Sequence, residues 1–150
     1  MKRVFITGAS SGIGAALART YAGQGATLGL VARRQQPLEQ LRAALPHPER
    51  HRIYALDVTD HAALAAAAAD FIAASDGVDV VIANAGISHG TLTEYAEDLA
   101  VFERIIATNV VATAATFSPF IATLKKQAQA GSRAARLDRK STRLNSSHRL

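Results

Sequence analysis

The sequence predicts an α/β protein in which a doubly wound parallel sheet, ending after about four strands, has helices on both faces. Two observations lead to this prediction. Short apolar runs alternate along the chain with longer segments of helical periodicity, and these runs are apolar at nearly every position. Strands of that kind are buried on both faces, and helical crossovers join them in parallel order.

The first 32 residues have the pattern of a strand, a turn, a helix and a second strand. Residues 4–6 form a short buried-strand run, and a glycine-rich turn follows it. Ile13, Leu17 and Tyr21 then recur at helical spacing, which predicts a helix with that apolar face. The run TLGLVA at 27–32 predicts the second strand.

The next segment repeats the alternation of helix and strand. Pro37 suits the first turn of a second helix, which continues through Leu45. Leu38, Leu41 and Leu45 form the apolar stripe of that helix. Residues 52–56 (RIYAL) then predict a third strand.

The remaining elements are a third helix, a fourth strand and a long helix. An alanine-rich segment predicts a helix to which Thr59 or Asp60 supplies the N-cap. Residues 79–83 (DVVIA) predict the fourth strand. A long apolar helix is then expected from about 97 to 129, disturbed near Pro119.

The composition fits one domain and excludes several kinds of site. The 150 residues are 49% hydrophobic and include no cysteine. Disulfides, thiolate metal sites and cysteine nucleophiles are therefore excluded, and the expected compartment is the cytoplasm. Uninterrupted apolar stretches fall short of the ~20 residues that span a bilayer, so no membrane helix and no membrane partner is expected.

The net charge of +5 comes from the C-terminal segment. Residues 1–124 carry nine basic and eleven acidic side chains, whereas residues 125–150 carry eight basic and one acidic. A nucleic-acid-binding arm is one interpretation, but the segment has no aromatic residue for base stacking and no patterned helix. A solvated, disordered terminus is another. We expect no nucleic-acid partner.

A third interpretation of the tail comes from a resemblance. The eleven residues at 138–148, DRKSTRLNSSH, resemble the translation of a common short-read sequencing adapter. The expected division is a domain at 1–130 and a non-native or disordered basic tail at 131–150. The coding sequence of the gene would then end within this chain at or before about Leu137, and the chain would be an N-terminal fragment.

A glycine-rich loop after the first strand predicts a site for a nucleotide phosphate. The loop contains Gly8, Ser10, Ser11, Gly12, Ile13 and Gly14. Backbone N–H groups and the positive end of a helix there favour a pyrophosphate. We expect Gly8 to permit the tight turn, Gly12 to admit the phosphate and Gly14 to let the helix pack closely.

The end of the second strand indicates which dinucleotide is bound. An acidic residue there would bind the ribose 2′-OH of NAD, whereas arginine pairs with the 2′-phosphate of NADP. This chain has Ala32, Arg33 and Arg34, with no acid. We therefore expect NADP(H) to be preferred over NAD(H), the alternative being two solvated arginines.

Four motifs together resemble the short-chain dehydrogenase/reductase family, in the subfamily with a three-residue gap in its glycine motif. They are the TGxxxGIG of residues 7–14, Asp57-Val58, Asn84-Ala85-Gly86 and Thr108-Asn109-Val110. The resemblance covers residues 1 to about 125 and implies an NAD(P)-binding Rossmann domain. It also implies that Asp57 and Val58 contact the adenine and that Asn84, Ala85 and Gly86 border the cofactor.

Each of these residues also has a structural interpretation. Asp57 could start a turn, and Asn84 could cap backbone at a strand end. Asn109 is a poor helix former, which indicates a kink or a water site. The resemblance implies that Asn109 holds a water of the proton relay and is the catalytic residue this chain retains. His89 could line a pocket or lie on a surface loop, and no metal site is expected.

The resemblance implies hydride transfer between a nicotinamide and a small-molecule carbonyl or alcohol, with a tyrosine and the lysine four residues later assisting the proton transfer. Tyr21, Tyr54 and Tyr95 have no such lysine. We expect an NADP(H)-dependent reductase or dehydrogenase as the parent, and this chain to be inactive. The alternative is a non-catalytic dinucleotide-binding module.

The expected number of strands also affects how the sheet ends and how subunits assemble. Without further strands, the fourth strand would be an unpaired edge. The resemblance implies that the full-length parent forms a homo-oligomer through its long helix, whereas oligomer formation by the fragment is doubtful.

Overall fold

Five parallel strands form one sheet in the order β3-β2-β1-β4-β5. The computed structural model describes residues 1–91, 94–131 and 136–139. The strands are β1 (Arg3–Thr7), β2 (Thr27–Ala32), β3 (Arg52–Ala55), β4 (Val80–Ala83) and β5 (Arg136–Arg139). The helices are α1 (Gly12–Gly23), α2 (Gln35–Ala43), α3 (His61–Ser75), α4 (Asp98–Ile106), α5 (Ala112–Phe117) and α6 (Ile121–Gln129). The predicted α/β class and parallel sheet are confirmed.

The sheet is doubly wound, because alternate residues of its strands enter two separate cores. Val4, Ile6 and their counterparts in β2 and β4 pack against α1 and α2. Phe5, Val31 and Val81 point the other way and pack against α3, α5 and α6. Since β1, β2 and β4 are covered on both faces, these three strands are apolar at consecutive positions, as the sequence predicted.

The first helix uses the predicted apolar face only in part, since Leu17 and Tyr21 are partly buried against the core. Its buried residues are Gly14, Ala18 and Ala22, whereas Ile13 is 50% exposed. Small residues allow the helix axis to approach the sheet closely, so the larger side chains lie at the margins. The leucine stripe of α2, in contrast, is buried as predicted.

The long helix predicted at 97–129 is present but is not a uniform α-helix. A π-helical turn at Ala107–Val111 separates α4 from α5, and a 3₁₀ turn at Ser118–Phe120 separates α5 from α6. The second interruption lies at the proline, as predicted. We refer to residues 98–129 together as the long helix.

The two ends of the long helix lie at opposite ends of the parallel strands. The side-chain amide of Gln127 donates to the carbonyl oxygen of Val78 at 2.7 Å and accepts from its N–H at 3.0 Å. Val78 precedes β4, so α6 ends near the amino end of that strand. Going back along the chain from α6, the long helix therefore extends from the amino ends towards the carboxyl ends of the strands. α4 lies beyond the carboxyl ends.

The long helix has a buried face and an exposed apolar face. Ala112, Thr116, Phe120 and Leu124 are buried against the sheet and α3. Among the described residues, the helix Asp98–Gln129 is long and apolar enough to cross a membrane by length and composition alone, although no membrane helix was expected from the sequence. A helix that covers a sheet passes the same test.

The prediction that β4 has an unpaired edge is wrong. Residues 136–139, which the sequence placed in a disordered or non-native tail, form β5 and pair with β4 in parallel. An unpaired strand edge offers N–H and C=O groups to any extended segment within reach, and that pairing does not require an apolar side-chain pattern. The rest of the adapter-like segment, 140–148, lies outside the described residues.

A buried histidine ties the segment before β3 to β2. The Nδ1 atom of His51 accepts a hydrogen bond from the N–H of Leu28 at 3.3 Å, and Nε2 lies 2.9 Å from the carbonyl oxygen of Pro46. Only the neutral ring with its proton on Nε2 satisfies both contacts. Burial of the ring lowers the pKa of His51 below its ordinary value of 6.5.

We expect the free energy of unfolding to depend on pH through His51. Because the folded-state pKa lies below the unfolded one, the unfolded chain binds the extra proton first as pH falls. Stability should be full above about pH 6.5 and should decline as the pH falls towards the folded-state pKa, with a slope of at most about 1.4 kcal/mol per pH unit. Urea unfolding between pH 7.5 and 5.5 measures this slope. The variant His51→Gln should have a smaller slope, and equal slopes would contradict the assignment.

Candidate functional site

A cleft of about 510 Å³ opens at the carboxyl ends of β1 to β4. Strand order reverses between β1 and β4, which is where ligands bind in open parallel sheets. Four segments and two side chains of the long helix line the cleft: Gly8, Ser10–Ile13, Ala32–Arg33, Leu56–Thr59, Asn84–Ile87, Arg104 and Thr108. The predicted cofactor residues are therefore brought together, apart from Gly14 and Arg34.

The loops after β1 and β4 are locked together by backbone and side-chain contacts. Thr7 Oγ1 accepts from the N–H groups of Asn84 at 3.1 Å and Ala85 at 3.2 Å. Asn84 Nδ2 donates to the carbonyl oxygen of Gly8 at 3.0 Å. A Cβ on Gly8, whose φ is +65°, would lie only 2.8 Å from the Cα of Ala85. The predicted capping role of Asn84 is thus present, across two strands.

The other two glycines of the loop have different environments. A Cβ on Gly14 would overlap the carbonyl group of Gly8 and lie 2.6 Å from Asn84 Nδ2. A Cβ on Gly12, whose φ is +53°, would meet no atom within 4 Å. Gly14 therefore permits close packing, whereas Gly12 faces open space in the cleft.

The start of α1 fits a pyrophosphate. Ser11 is the N-cap residue, and its side chain makes no capping hydrogen bond. The N–H groups of the first turn consequently remain available to an anion, and the helix dipole favours negative charge there. Together with the open space at Gly12, this arrangement fits the phosphates of a dinucleotide.

Asp57 both starts a turn and lines the cleft. Its Oδ1 accepts from the N–H of Thr59 at 2.9 Å and from the Thr59 hydroxyl at 2.8 Å. These hydrogen bonds, with a smaller contribution from the charge of Arg33, lower the pKa of Asp57. The carboxylate is therefore ionised at neutral pH. The predicted N-cap of α3 is Asp60, which accepts from the N–H of Ala63 at 3.1 Å.

The two predicted arginines occupy different positions. Arg33 lines the cleft at the end of β2. Arg34 is the exposed N-cap residue of α2 and is not among the lining residues. The structure therefore brings one of the two predicted guanidiniums to the site.

Asn109 lies in the π-helical turn, behind the lining residues. Its Oδ1 accepts from the N–H of Ile87 at 2.9 Å, and its Nδ2 donates to the carbonyl oxygen of Ile87 at 2.8 Å. The side-chain amide thus joins the long helix to the loop after β4. This arrangement agrees with the predicted kink, and the role of Asn109 in holding a water stays a prediction.

The sequence analysis missed several lining residues. Ala32, Leu56, Thr59 and Ile87 adjoin predicted residues and could have been found by extending each motif by one position. Thr108 belongs to a motif of the long helix, and Arg104 lies four residues before it, on the same helical face. His89 is exposed and does not line the cleft.

Within the described ranges 1–91, 94–131 and 136–139, no group of three or more histidine and acidic side chains is arranged to hold a metal ion.

Comparisons with known proteins agree with this geometry. The family model for short chain dehydrogenase matches residues 2–132. An uncharacterized oxidoreductase of Mycobacterium tuberculosis is 42% identical over 92 residues, which are 59% of this chain and 36% of that protein.

Two solved structures extend the comparison to the fold. An alcohol dehydrogenase of the archaeon Thermococcus sibiricus, complexed with 5-hydroxy-NADP, is 34% identical with a TM-score of 0.75, covering 84% of this chain and 54% of that one. A 3-ketoacyl-(acyl-carrier-protein) reductase of Brucella melitensis, complexed with NADH, is 27% identical with a TM-score of 0.80, covering 91% and 55%. This chain thus spans about half the length of these two proteins.

The chain belongs to the short-chain dehydrogenase/reductase family of oxidoreductases. Proteins of this family bind nicotinamide dinucleotides and act on small-molecule alcohols or carbonyl compounds.

We expect alanine at Gly14 and at Gly12 to have different effects. Gly14→Ala should lower the free energy of unfolding by about 3 kcal/mol or more, because its Cβ would overlap the Gly8 backbone. Gly12→Ala should cost only about 1 kcal/mol for its positive φ, but should weaken nucleotide binding at least about tenfold. Urea unfolding and calorimetric titration with NADPH measure the two effects. Equal destabilisation by both substitutions would contradict this assignment.

Proposed function

We propose that this chain is the dinucleotide-binding, N-terminal part of a cytoplasmic, NADP(H)-dependent reductase or dehydrogenase that acts on a small carbonyl or alcohol substrate. The observation that carries the proposal is the position of Arg33. It lines the cleft at the end of β2, where an acidic residue would select NAD(H).

The charges around Arg33 support a phosphate rather than a hydroxyl as its partner. Among the described residues, Asp57 is the one carboxylate that lines the cleft, and its Oδ1 already accepts hydrogen bonds from Thr59. The planar guanidinium of Arg33 can donate two parallel hydrogen bonds to a phosphate. One of the two solved relatives described above carries an NADP analogue and the other NADH, so the choice rests on this chain's own residues.

The other residues of the cleft have complementary roles in this proposal. The N-terminus of α1 and the loop at 8–13 bind the pyrophosphate, and the segment Asn84–Ile87 borders the continuation of the cleft along β4. A bound nicotinamide would supply or accept a hydride. Asn109 positions the loop after β4 through Ile87, and we retain for it the proposed role in holding a relay water.

We further propose that the 150-residue chain binds the dinucleotide without turning over a substrate. None of its three tyrosines is followed four residues later by a lysine. Proton transfer to a carbonyl oxygen needs a positioned acid, and that pair would supply it in the family. A non-catalytic dinucleotide-binding module is the second candidate. Sequencing the gene beyond the codon of Leu137 distinguishes them: a downstream Tyr-x-x-x-Lys supports the enzyme, and an early stop codon supports the module.

The long helix supports an oligomeric parent protein. Leu99, Phe102, Ile106 and Val110 are between 38% and 60% exposed and recur at helical spacing. An apolar stripe of this kind on a helix usually marks an interface. We propose that it pairs subunits in the full-length parent.

We expect NADPH to stabilise the chain more than NADH does. At one hundred times its dissociation constant, a ligand adds about 2.7 kcal/mol to the free energy of unfolding. Arg33→Ala should weaken NADPH binding at least about tenfold and leave NADH binding nearly unchanged. Thermal shift and calorimetric titration measure both effects.

Two further variants serve as comparisons for Arg33→Ala. Arg19→Ala removes an exposed arginine on α1 and should change neither affinity, while Arg34→Ala should have a smaller effect than Arg33→Ala. An equal loss of affinity for NADPH and NADH in Arg33→Ala would contradict the proposed NADP(H) preference. Dinucleotide binding itself fails if neither nucleotide stabilises the wild-type chain.

A further inference from the structure

The long helix contributes a charged side chain to the cleft that none of the sequence motifs contains. Arg104 and Thr108 lie one helical turn apart and both line the cleft. Among the described residues, no hydrogen bond or ion pair involves the Arg104 guanidinium. It is therefore a cation at the site that has no structural partner there.

The packing of the long helix indicates which part of the cleft Arg104 borders. Ala112 and Phe120 share a core with Leu64 and Phe71 of α3, so the two helices lie side by side on one face of the sheet. α3 starts at the carboxyl edge of the sheet, directly after the segment 57–60. The turns before Ala112 extend beyond that same edge, and Arg104 and Thr108 line the same cleft as Leu56–Thr59.

In the proposed function, the adenosine half of the dinucleotide extends from the pyrophosphate site to the adenine site. The pyrophosphate would bind at the start of α1, and the adenosine ribose would bind at the end of β2 by Arg33. Beyond the ribose, the cleft continues to Leu56, Asp57 and Val58 after β3. Leu56 is half-buried and Val58 is 6% exposed, so the floor of this part of the cleft is apolar and can support a flat base.

We propose that Arg104 packs its guanidinium on the face of the adenine base, opposite Val58, and so determines affinity for the adenosine half of the dinucleotide. This inference rests on the proposed function. A guanidinium is planar, weakly hydrated and attracted to the face of an aromatic ring. Because Arg104 has no ion pair with a described residue, none has to be broken when the base arrives.

The proposed contact differs from that of Arg33 in what it recognises. Adenine is present in both NADPH and NADH, whereas the 2′-phosphate is present only in NADPH. Loss of Arg104 should therefore weaken both nucleotides by the same factor. Loss of Arg33 should weaken NADPH alone.

Calorimetric titration of Arg104→Met with NADPH and with NADH tests the inference. Methionine keeps a flexible apolar stem and removes the guanidinium. We expect the dissociation constants for both nucleotides to rise about fivefold to thirtyfold, as for the loss of one such contact. Lys125→Met, which removes an exposed cation from α6, is the matched control and should change neither constant.

A structural readout completes the test. In the wild-type complex with NADPH, NMR should show nuclear Overhauser effects between adenine H2 or H8 and the side-chain δ protons of Arg104. Bound NADPH without these effects would overturn the inference. So would unchanged affinities in Arg104→Met, or a loss at least tenfold larger for NADPH than for NADH, which would place Arg104 on the 2′-phosphate.

The same experiment separates this inference from the proposed function. Failure of the wild-type chain to bind either nucleotide would overturn both. Binding by the wild-type chain with no effect of Arg104→Met would overturn the role of Arg104 alone. Thermal unfolding of each variant verifies that the change in affinity occurs in a folded protein.

Discussion

The close approach of the loops after β1 and β4 is the contact on which the cleft depends. Gly8 has no room for a Cβ against Ala85, and Asn84 donates its side-chain N–H to the Gly8 carbonyl oxygen. The Oδ1 atom of Asn84 is buried and has no hydrogen-bond partner among the described residues. An unsatisfied buried acceptor costs about 1–3 kcal/mol, which the packing of the two loops has to offset.

This contact also sets the positions of the helices that form the walls of the cleft. Gly14 packs under the same two loops, so the start of α1 is held with its N–H groups at the opening. On the other side, Asn109 binds both backbone groups of Ile87 and ties the long helix to the loop after β4. These hydrogen bonds and close contacts join two loops and two helices around the cleft. For the proposed dinucleotide, a site already held by such contacts would lower the cost of ordering the protein on binding.

Much of the fold could be predicted from local patterns, and the failures have physical causes. β1, β2 and β4 are covered on both faces and appear in the sequence as continuous apolar runs. The buried face of α1 was missed because close packing selects Gly14, Ala18 and Ala22 over larger residues. β5 was missed because edge pairing uses backbone groups and leaves no apolar pattern. Within the site, glycine spacing predicted the loop, whereas Arg104 reaches the cleft only through the tertiary packing of the long helix.

The proposal that the carboxyl ends of these strands bind a nicotinamide dinucleotide can be tested by backbone amide NMR of the isotopically labelled chain during titration with NADPH. We expect chemical-shift changes concentrated at residues 8–14, 32–33, 57–59 and 84–87, with β5 unaffected. Shifts confined to β5 and the basic C-terminal segment, or no shifts at saturating nucleotide, would contradict it.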